Sequence, residues 1–307
     1  MKKAFIFPGQ ASQFVGMGKD LYEQFETARK IFDRADEILD FGLKKVCFEG
    51  PEEELKLTYI TQPAIFVHSL AVYYLLKEKG MEAQGVAGHS LGEYSALVAA
   101  SSLSFEDGLR LVQIRGRLMY ESGKKNPGTM AAIIGLSEKQ VNELCQRLSV
   151  RGIIQPANFN SPGQIAISGE VELIHDALEV AKEMGAKKAV ELVVSGAFHS
   201  PLMDDARAGL QEALEKTEFR DAAAPVYSNV TAKPVTDKEE IRQLLFKQLT
   251  SPVLWQMSME NMIADGFDQF YELGPGKVLC GLLKRINRQV PCQPIGTVEA
   301  VKQLGES

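Results

Sequence analysis

Gly85-Val-Ala-Gly-His-Ser-Leu-Gly-Glu-Tyr-Ser-Ala-Leu-Val-Ala-Ala100 is the stretch around which the rest of the chain can be read. A short apolar run, Val86 and Ala87, stops at Gly88, and a helix-forming run begins after Ser90. Gly88-His-Ser-Leu-Gly92 therefore sits on a strand-to-helix turn, with the Gly-x-Ser-x-Gly spacing of a nucleophile elbow. Such a turn is too tight for side chains at its flanking positions, which calls for glycine at 88 and 92. Ser90 is held at the tip, open to a substrate. The free N–H groups and positive dipole end of the following helix face the place where negative charge develops on an attacked carbonyl.

Outward from the elbow, strands and helices alternate. Ala4–Phe7 reads as a strand and runs into the polar turn Pro8-Gly-Gln10-Ala-Ser-Gln13. Thr61 to Lys79 is a long helix, apolar on most sides, with His68 as a core histidine. Ser104-Phe-Glu-Asp107 caps a helix running to about Ser122. Between Gly123 and Ser195 the texture changes. Thr129–Ile134 is a strand, Ser137-Glu-Lys-Gln140 opens a helix, and Ile153–Phe159 and Gln164–Ser168 are strands joined by a turn. A helix from Val171 to Met184 and a strand from Lys188 to Val194 complete the order β-α-β-β-α-β of a ferredoxin-like split βαβ unit. After Gly196 strands and helices alternate again, which means a mostly parallel sheet. The expected fold is α/β, with an α/β-hydrolase-like large domain formed by residues 1–124 and 197–307. A ferredoxin-like small domain, residues 125–196, is inserted into it.

Composition narrows the function classes. With 307 residues, 45% hydrophobic and 24% charged, the chain can bury a sizeable core as an ordinary soluble protein. A net charge of -6 and the lack of a basic tail argue against nucleic acid, and no apolar run approaches a membrane span. The N-terminus enters a strand almost at once, which leaves no signal peptide. Cys47, Cys145, Cys280 and Cys292 show no C-x-x-C spacing and mostly have apolar neighbours, so they are expected to be buried free thiols. The expected location is cytoplasmic, with no metal and no cofactor.

An elbow serine needs a base. His68 and His175 fall inside helical patterns, and His89, next to Ser90, is expected to point to the other side of the strand. His199 precedes Ser200-Pro201, an N-cap and first helical residue, so it lies beside a helix N-terminus that favours a neutral imidazole. Asp107 and Asp176, the aspartates between serine and histidine, both read as surface helix residues, which leaves the imidazole to be oriented by a carbonyl. Arg110 and Arg117 have polar residues among their helical neighbours. Arg115 has Leu111, Val112, Leu118 and Met119, which places it on the apolar face. A buried guanidinium is costly unless paired, so Arg115 either meets an internal carboxylate, snorkels out, or receives a substrate carboxylate.

Seven motifs then add up to a family likeness. They are Phe7-Pro-Gly-Gln-Ala-Ser-Gln13, Gly88-His-Ser-Leu-Gly-Glu-Tyr94, Gln113-Ile-Arg-Gly-Arg117, Asn158-Phe-Asn-Ser-Pro-Gly163, Gly196-Ala-Phe-His-Ser200, Gln248-Leu-Thr-Ser-Pro-Val253 and Glu272-Leu-Gly-Pro-Gly276. Together they resemble the malonyl-CoA:acyl carrier protein transacylase family of fatty acid synthesis, in family order over nearly the full length. Ala11 departs from the glycine more usual there. The resemblance implies Ser90 as nucleophile and His199 as base. It also implies an oxyanion hole from the Gln10 and Leu91 N–H groups, a Gln248 carbonyl on the histidine, and Arg115 as receptor for the malonyl carboxylate. Met130, Asn160 and Phe198 are implied in the substrate cleft, Phe198 fitting malonyl rather than methylmalonyl. The implied partners are malonyl-CoA and an acidic phosphopantetheinylated acyl carrier protein. Lys187, Lys188, Lys284 and Arg285 are the candidate docking residues, and a monomer is the expected state. A serine esterase or thioesterase, or a malonyl loader of a polyketide synthase, is the alternative reading.

Overall fold

The computed structural model describes Met1–Leu304. Its ten strands are β1 (Lys2–Phe7), β2 (Gly85–Gly88), β3 (Gly128–Ile134), β4 (Ile154–Ser161), β5 (Gln164–Glu170), β6 (Lys188–Glu191), β7 (Val226–Tyr227), β8 (Pro234–Val235), β9 (Phe267–Leu273) and β10 (Cys292–Ile295). They form two sheets. The six-stranded one runs β10-β9-β1-β2-β7-β8 and is parallel except for the β7–β8 pair. The four-stranded one runs β4-β5-β3-β6 and is antiparallel throughout.

Residue alternation along β1 builds the larger core on both faces. Phe5 and Phe7 pack toward the helix Thr58–Glu78, with Phe66 and Leu70. Ala4 and Ile6 face the opposite layer, where Trp255, Met259 and Leu283 lie. In β3, Ala131 and Ile133 join the small sheet's own core against the helices Glu138–Leu148 and Val171–Glu183. Met130, on the other face of the strand, joins the larger core. The small sheet therefore contributes one wall of whatever lies between the two units.

The chain crosses between the units twice, at one place. A Cβ built on Gly123 would stand 2.2 Å from the Ser195 carbonyl oxygen, and one on Gly196 would stand 3.0 Å from the Gly123 Cα. The elbow is equally tight: a Cβ on Gly88 would come within 1.9 Å of the Gly92 backbone, and one on Gly92 within 2.1 Å of the Phe7 carbonyl oxygen. The buried Glu272 carboxylate accepts the Leu279 and Cys280 N–H groups at 3.0 and 2.8 Å, capping the helix Val278–Ile286. Among the described residues no helix is long and apolar enough to cross a membrane.

Three expectations are corrected. Cys280 and Cys292 are joined in a disulfide, and only Cys47 and Cys145 are free and buried. The helix carrying Cys280 packs beside β10, which brings the two Cα atoms to 5.2 Å, a proximity that sequence spacing alone does not reveal. The helix read from Pro201 winds as a 3-10 helix over Pro201–Ala206 before the α-helix Arg207–Lys216. Strand β6 ends at Glu191 rather than Val194.

His68 is fully buried in the Thr58–Glu78 helix, and burial pushes its imidazole down from 6.5 to about 4. The folded state resists the proton that the unfolded chain accepts, so this contribution to stability is present above 6.5 and is lost as pH falls toward 4. The loss is about 1.4 kcal/mol per pH unit in that window. Urea midpoints measured at descending pH should therefore fall more steeply for the wild type than for His68→Gln; parallel curves would show that His68 titrates normally.

Candidate active site

Ser90 has φ +51°, inside the left-handed region, which turns its hydroxyl out of the elbow. Its Oγ lies 2.8 Å from His199 Nε2. The Nδ1–H on the other side of the imidazole donates to the Gln248 carbonyl at 2.9 Å. That bond fixes the tautomer, leaving Nε2 to accept the serine proton. His199 itself has φ +57° in the turn after Ala197-Phe198. Burial, and then the positive charge of Arg115, lower its imidazole to about 3, so it is held neutral. Asp107 caps with Ser104 and Asp176 pairs with Arg151, so neither aspartate serves the histidine.

Arg115 is 1% exposed and makes no salt bridge among the described residues. Its Nη1 donates to Gln62 Oε1 at 2.8 Å, and its Nη2 donates to Gln248 Oε1 at 3.0 Å and to Ser90 Oγ at 3.1 Å. The guanidinium thus keeps its full charge among neutral amides, one of its nitrogens aimed at the serine hydroxyl. Helical spacing had left three outcomes open for Arg115; pairing with an internal carboxylate and snorkelling are both excluded by this geometry.

A cleft of about 360 Å³ opens over these groups, with Gln10, Leu91, Met130, Asn158, Phe198 and His199 among its lining residues. Among the described residues the backbone N–H groups of Gln10 and Leu91 donate to no protein acceptor. Asn160 stands one step back, its Oδ1 2.8 Å from His89 Nε2. His89 is partly exposed: its ring packs on Trp255, in the layer opposite Phe5 and Phe7 as expected, and the residue also borders the cleft. Lys187, Lys188, Lys284 and Arg285 are exposed and lie outside the cleft. Ile134 pairs with both Lys188 and Gln164, and Gln164 Oε1 accepts Arg285 Nη1 at 2.6 Å, so these cations share one end of the small sheet. That end lies four residues along β3 from Met130, about 13 Å at strand spacing.

Reading the sequence missed Gln62, Glu93 and Asn229. Glu93 follows the elbow glycine directly, yet is 3% exposed, and burial raises its carboxyl to about 7 despite bonds from Gln248 and Asn229. A charged residue inside the otherwise apolar run Leu91–Ala100 was the available signal for it. Gln62 sits in a helix buried on nearly every face, where a polar side chain was again the only sign.

A serine at the tip of a strand-to-helix turn, bonded to a histidine, is the arrangement of proteins that carry acyl groups on serine. The chain belongs to the acyl transferase domain family, whose profile matches residues 4–303. The malonyl CoA-acyl carrier protein transacylase of Bacillus subtilis (strain 168) is 47% identical over 302 residues, covering 98% of this chain and 95% of that protein. An acyl-carrier-protein-S-malonyltransferase structure from Bartonella henselae superposes with TM-score 0.96 at 43% identity, covering 99% of this chain and 98% of that one. A malonyl-transacylase in complex with its type II polyketide synthase acyl-carrier protein superposes with TM-score 0.97 at 39% identity, covering 100% and 99%.

The neutral histidine is directly testable. In ligand-free protein the His199 ring nitrogens should keep the chemical shifts of the neutral Nδ1–H tautomer to well below pH 6.5. A protonation midpoint at or above that value would contradict the described burial and charge.

Proposed function

We propose that this protein transfers the malonyl group of malonyl-CoA to the phosphopantetheine thiol of an acyl carrier protein through a malonyl-serine intermediate. One observation carries the substrate class: Arg115 is buried, has no carboxylate partner, and reaches the Ser90 hydroxyl at 3.1 Å. An acyl group carrying its own carboxylate supplies the missing counter-charge, and a bare acetyl group does not.

Ser90 Oγ attacks the thioester carbonyl while His199 Nε2 takes its proton. The oxyanion is received by the Gln10 and Leu91 N–H groups, which are otherwise unused. Collapse breaks the C–S bond, and the coenzyme A sulfur leaves with the proton from His199. The carrier thiol then enters by the same steps in reverse order and frees Ser90. Esterification releases Arg115 Nη2 from the serine hydroxyl, leaving it free for the malonyl carboxylate. That carboxylate also offsets the charge that depresses His199, which makes the imidazole a better base once the right substrate is bound. Met130 and Phe198 close the acyl end of the cleft, and Asn160 holds His89 in its wall.

The same reading takes the six-stranded unit, residues 1–124 with 197–307, of which 305–307 lie outside the described residues, as an α/β-hydrolase-like domain, supported by the elbow at the end of a parallel strand. It takes residues 125–196 as a ferredoxin-like insertion, supported by the β-α-β-β-α-β order. Service in fatty acid synthesis and a cytoplasmic location are part of the same proposal. Lys187, Lys188, Lys284 and Arg285 are the proposed landing surface for the acidic carrier.

Intact-mass measurement after brief mixing with malonyl-CoA should give a malonyl adduct on the wild type and none on Ser90→Ala. Arg115→Ala should lose malonyl labelling by about 10²- to 10³-fold, the scale of losing one positioned charge-stabilising group, and gain acetyl labelling from acetyl-CoA. Free malonate without an adduct would identify a hydrolase instead. Charge reversal at Lys188 should raise the KM for carrier protein and leave formation of the adduct unchanged; an unaltered KM would remove the landing surface.

A further inference from the structure

The left-handed backbone of Ser90, φ +51°, is strained for a residue with a side chain and persists only if its surroundings over-determine it. Two side-chain amides from distant parts of the chain do so. Asn229 Oδ1 accepts the Ser90 N–H at 2.7 Å, while Asn229 Nδ2 donates to the Gly88 carbonyl at 2.7 Å. One amide therefore spans the elbow, gripping the backbone on both sides of His89. Gln248 Nε2 donates to the Ser90 carbonyl at 3.0 Å. Both grips end on one carboxylate: Glu93 Oε2 accepts Gln248 Nε2 at 2.7 Å and the Asn229 N–H at 3.2 Å. Asn229 and Gln248 are 0% exposed and Glu93 3%, so no water competes for these bonds.

Topology makes the arrangement possible. Strand β7 pairs in parallel with β2, Ala87 opposite Tyr227, so the residues following Tyr227 run beside the elbow. Glu93 lies in the first turn of the helix Gly92–Ala99, directly under the turn it secures. The grip also selects the oxyanion donors. With the Ser90 N–H committed to Asn229, the next amide, Leu91, is the one left facing the cleft.

We propose that Asn229 and Glu93 are positioning residues that lock the Ser90 elbow in register with His199 and Arg115. Neither touches the acyl group, and the proposal rests on Ser90 being the nucleophile assigned above. Gln248 ties the same lock to the rest of the site, since its carbonyl holds His199 and its Oε1 holds Arg115. A shift of the elbow is therefore felt at both contacts of the Ser90 hydroxyl, with His199 Nε2 and with Arg115 Nη2, while the arginine keeps Gln62 as a separate partner.

The test is single-turnover acylation of wild type, Asn229→Ala, Asn229→Asp and Glu93→Gln, by malonyl-CoA and separately by a small fluorophosphonate that needs no carboxylate receptor. Asn229→Ala should slow both reactions by a similar factor, on the order of 10²-fold for a misplaced reacting group. The KM for malonyl-CoA should stay within about twofold, because ground-state binding is untouched. Asn229→Asp keeps the acceptor for Ser90 and loses the donor to Gly88, so it should recover part of the rate. Glu93→Gln keeps one acceptor oxygen and should fall between wild type and Asn229→Ala. Wild-type rates in Asn229→Ala, or a loss confined to KM, overturn the proposal; if Asn229→Ala does not fold, unchanged rates in both Asn229→Asp and Glu93→Gln overturn it equally. Fluorophosphonate labelling of a wild type that malonyl-CoA fails to acylate would count against the substrate assignment alone, with the lock still decided by the fluorophosphonate rates.

Discussion

A full positive charge is carried into the interior by Arg115 and met there by two amides, the Ser90 hydroxyl and the face of the Tyr94 ring, 5.6 Å from its centroid. Taking such a charge out of water is expensive, and an internal carboxylate would have been the ordinary remedy. Among the described residues Arg115 makes no salt bridge, and the buried Glu93 carboxylate accepts from Gln248 and Asn229 instead. The consequence runs through the whole cleft. Gln62 and Gln248 orient the guanidinium without neutralising it, His199 is kept neutral by the same field, and Ser90 accepts a bond from the cation while facing its base. In the proposed reaction, selectivity for a charged acyl group and restraint of the base thus have one physical origin.

The scaffold serves this by steric means. Two glycines without room for a methyl group set the elbow, and the parallel strands on either side of β2 deliver Gln10 after β1 and Asn229 after β7 to the same end of the sheet. Ligand-handling groups of open α/β sheets gather at the carboxyl ends of the strands for this reason. The small sheet adds a second wall through Met130, whose strand neighbours Ala131 and Ile133 are spent on its own core.

Much of this was legible in the sequence where the deciding physics is local. The elbow follows from a five-residue steric rule, the position of Arg115 from its neighbours one helical turn away, and the two-sheet division from a change in element order after Gly123. His199 could be singled out from an N-cap and proline beside it. The roles of Gln10, Leu91 and Gln248 came only through family likeness, because backbone donors and carbonyls leave no residue-type signature. Asn229 and Glu93 escaped altogether. Their partners lie 139 and 155 residues away in the chain, and a buried amide or carboxylate looks like any polar residue until the strands are paired. The disulfide escaped for a similar reason, since only the packing of a helix on β10 brings Cys280 to Cys292.

The contact between Gly123 and Gly196 has a bearing on how such a molecule can change over time. Because the chain leaves the large unit and returns to it at a single point, the intervening segment neither reorders the six-stranded sheet nor separates the serine from its histidine. The reacting groups all belong to one side of that junction, and the segment contributes walls: Met130, Asn158, Leu192. It also braces the reacting groups, since Gln155 Nε2 donates to the His199 carbonyl at 2.8 Å and β4 bridges to Val253, so exchanging this segment changes the footing of the histidine together with the wall of the cleft.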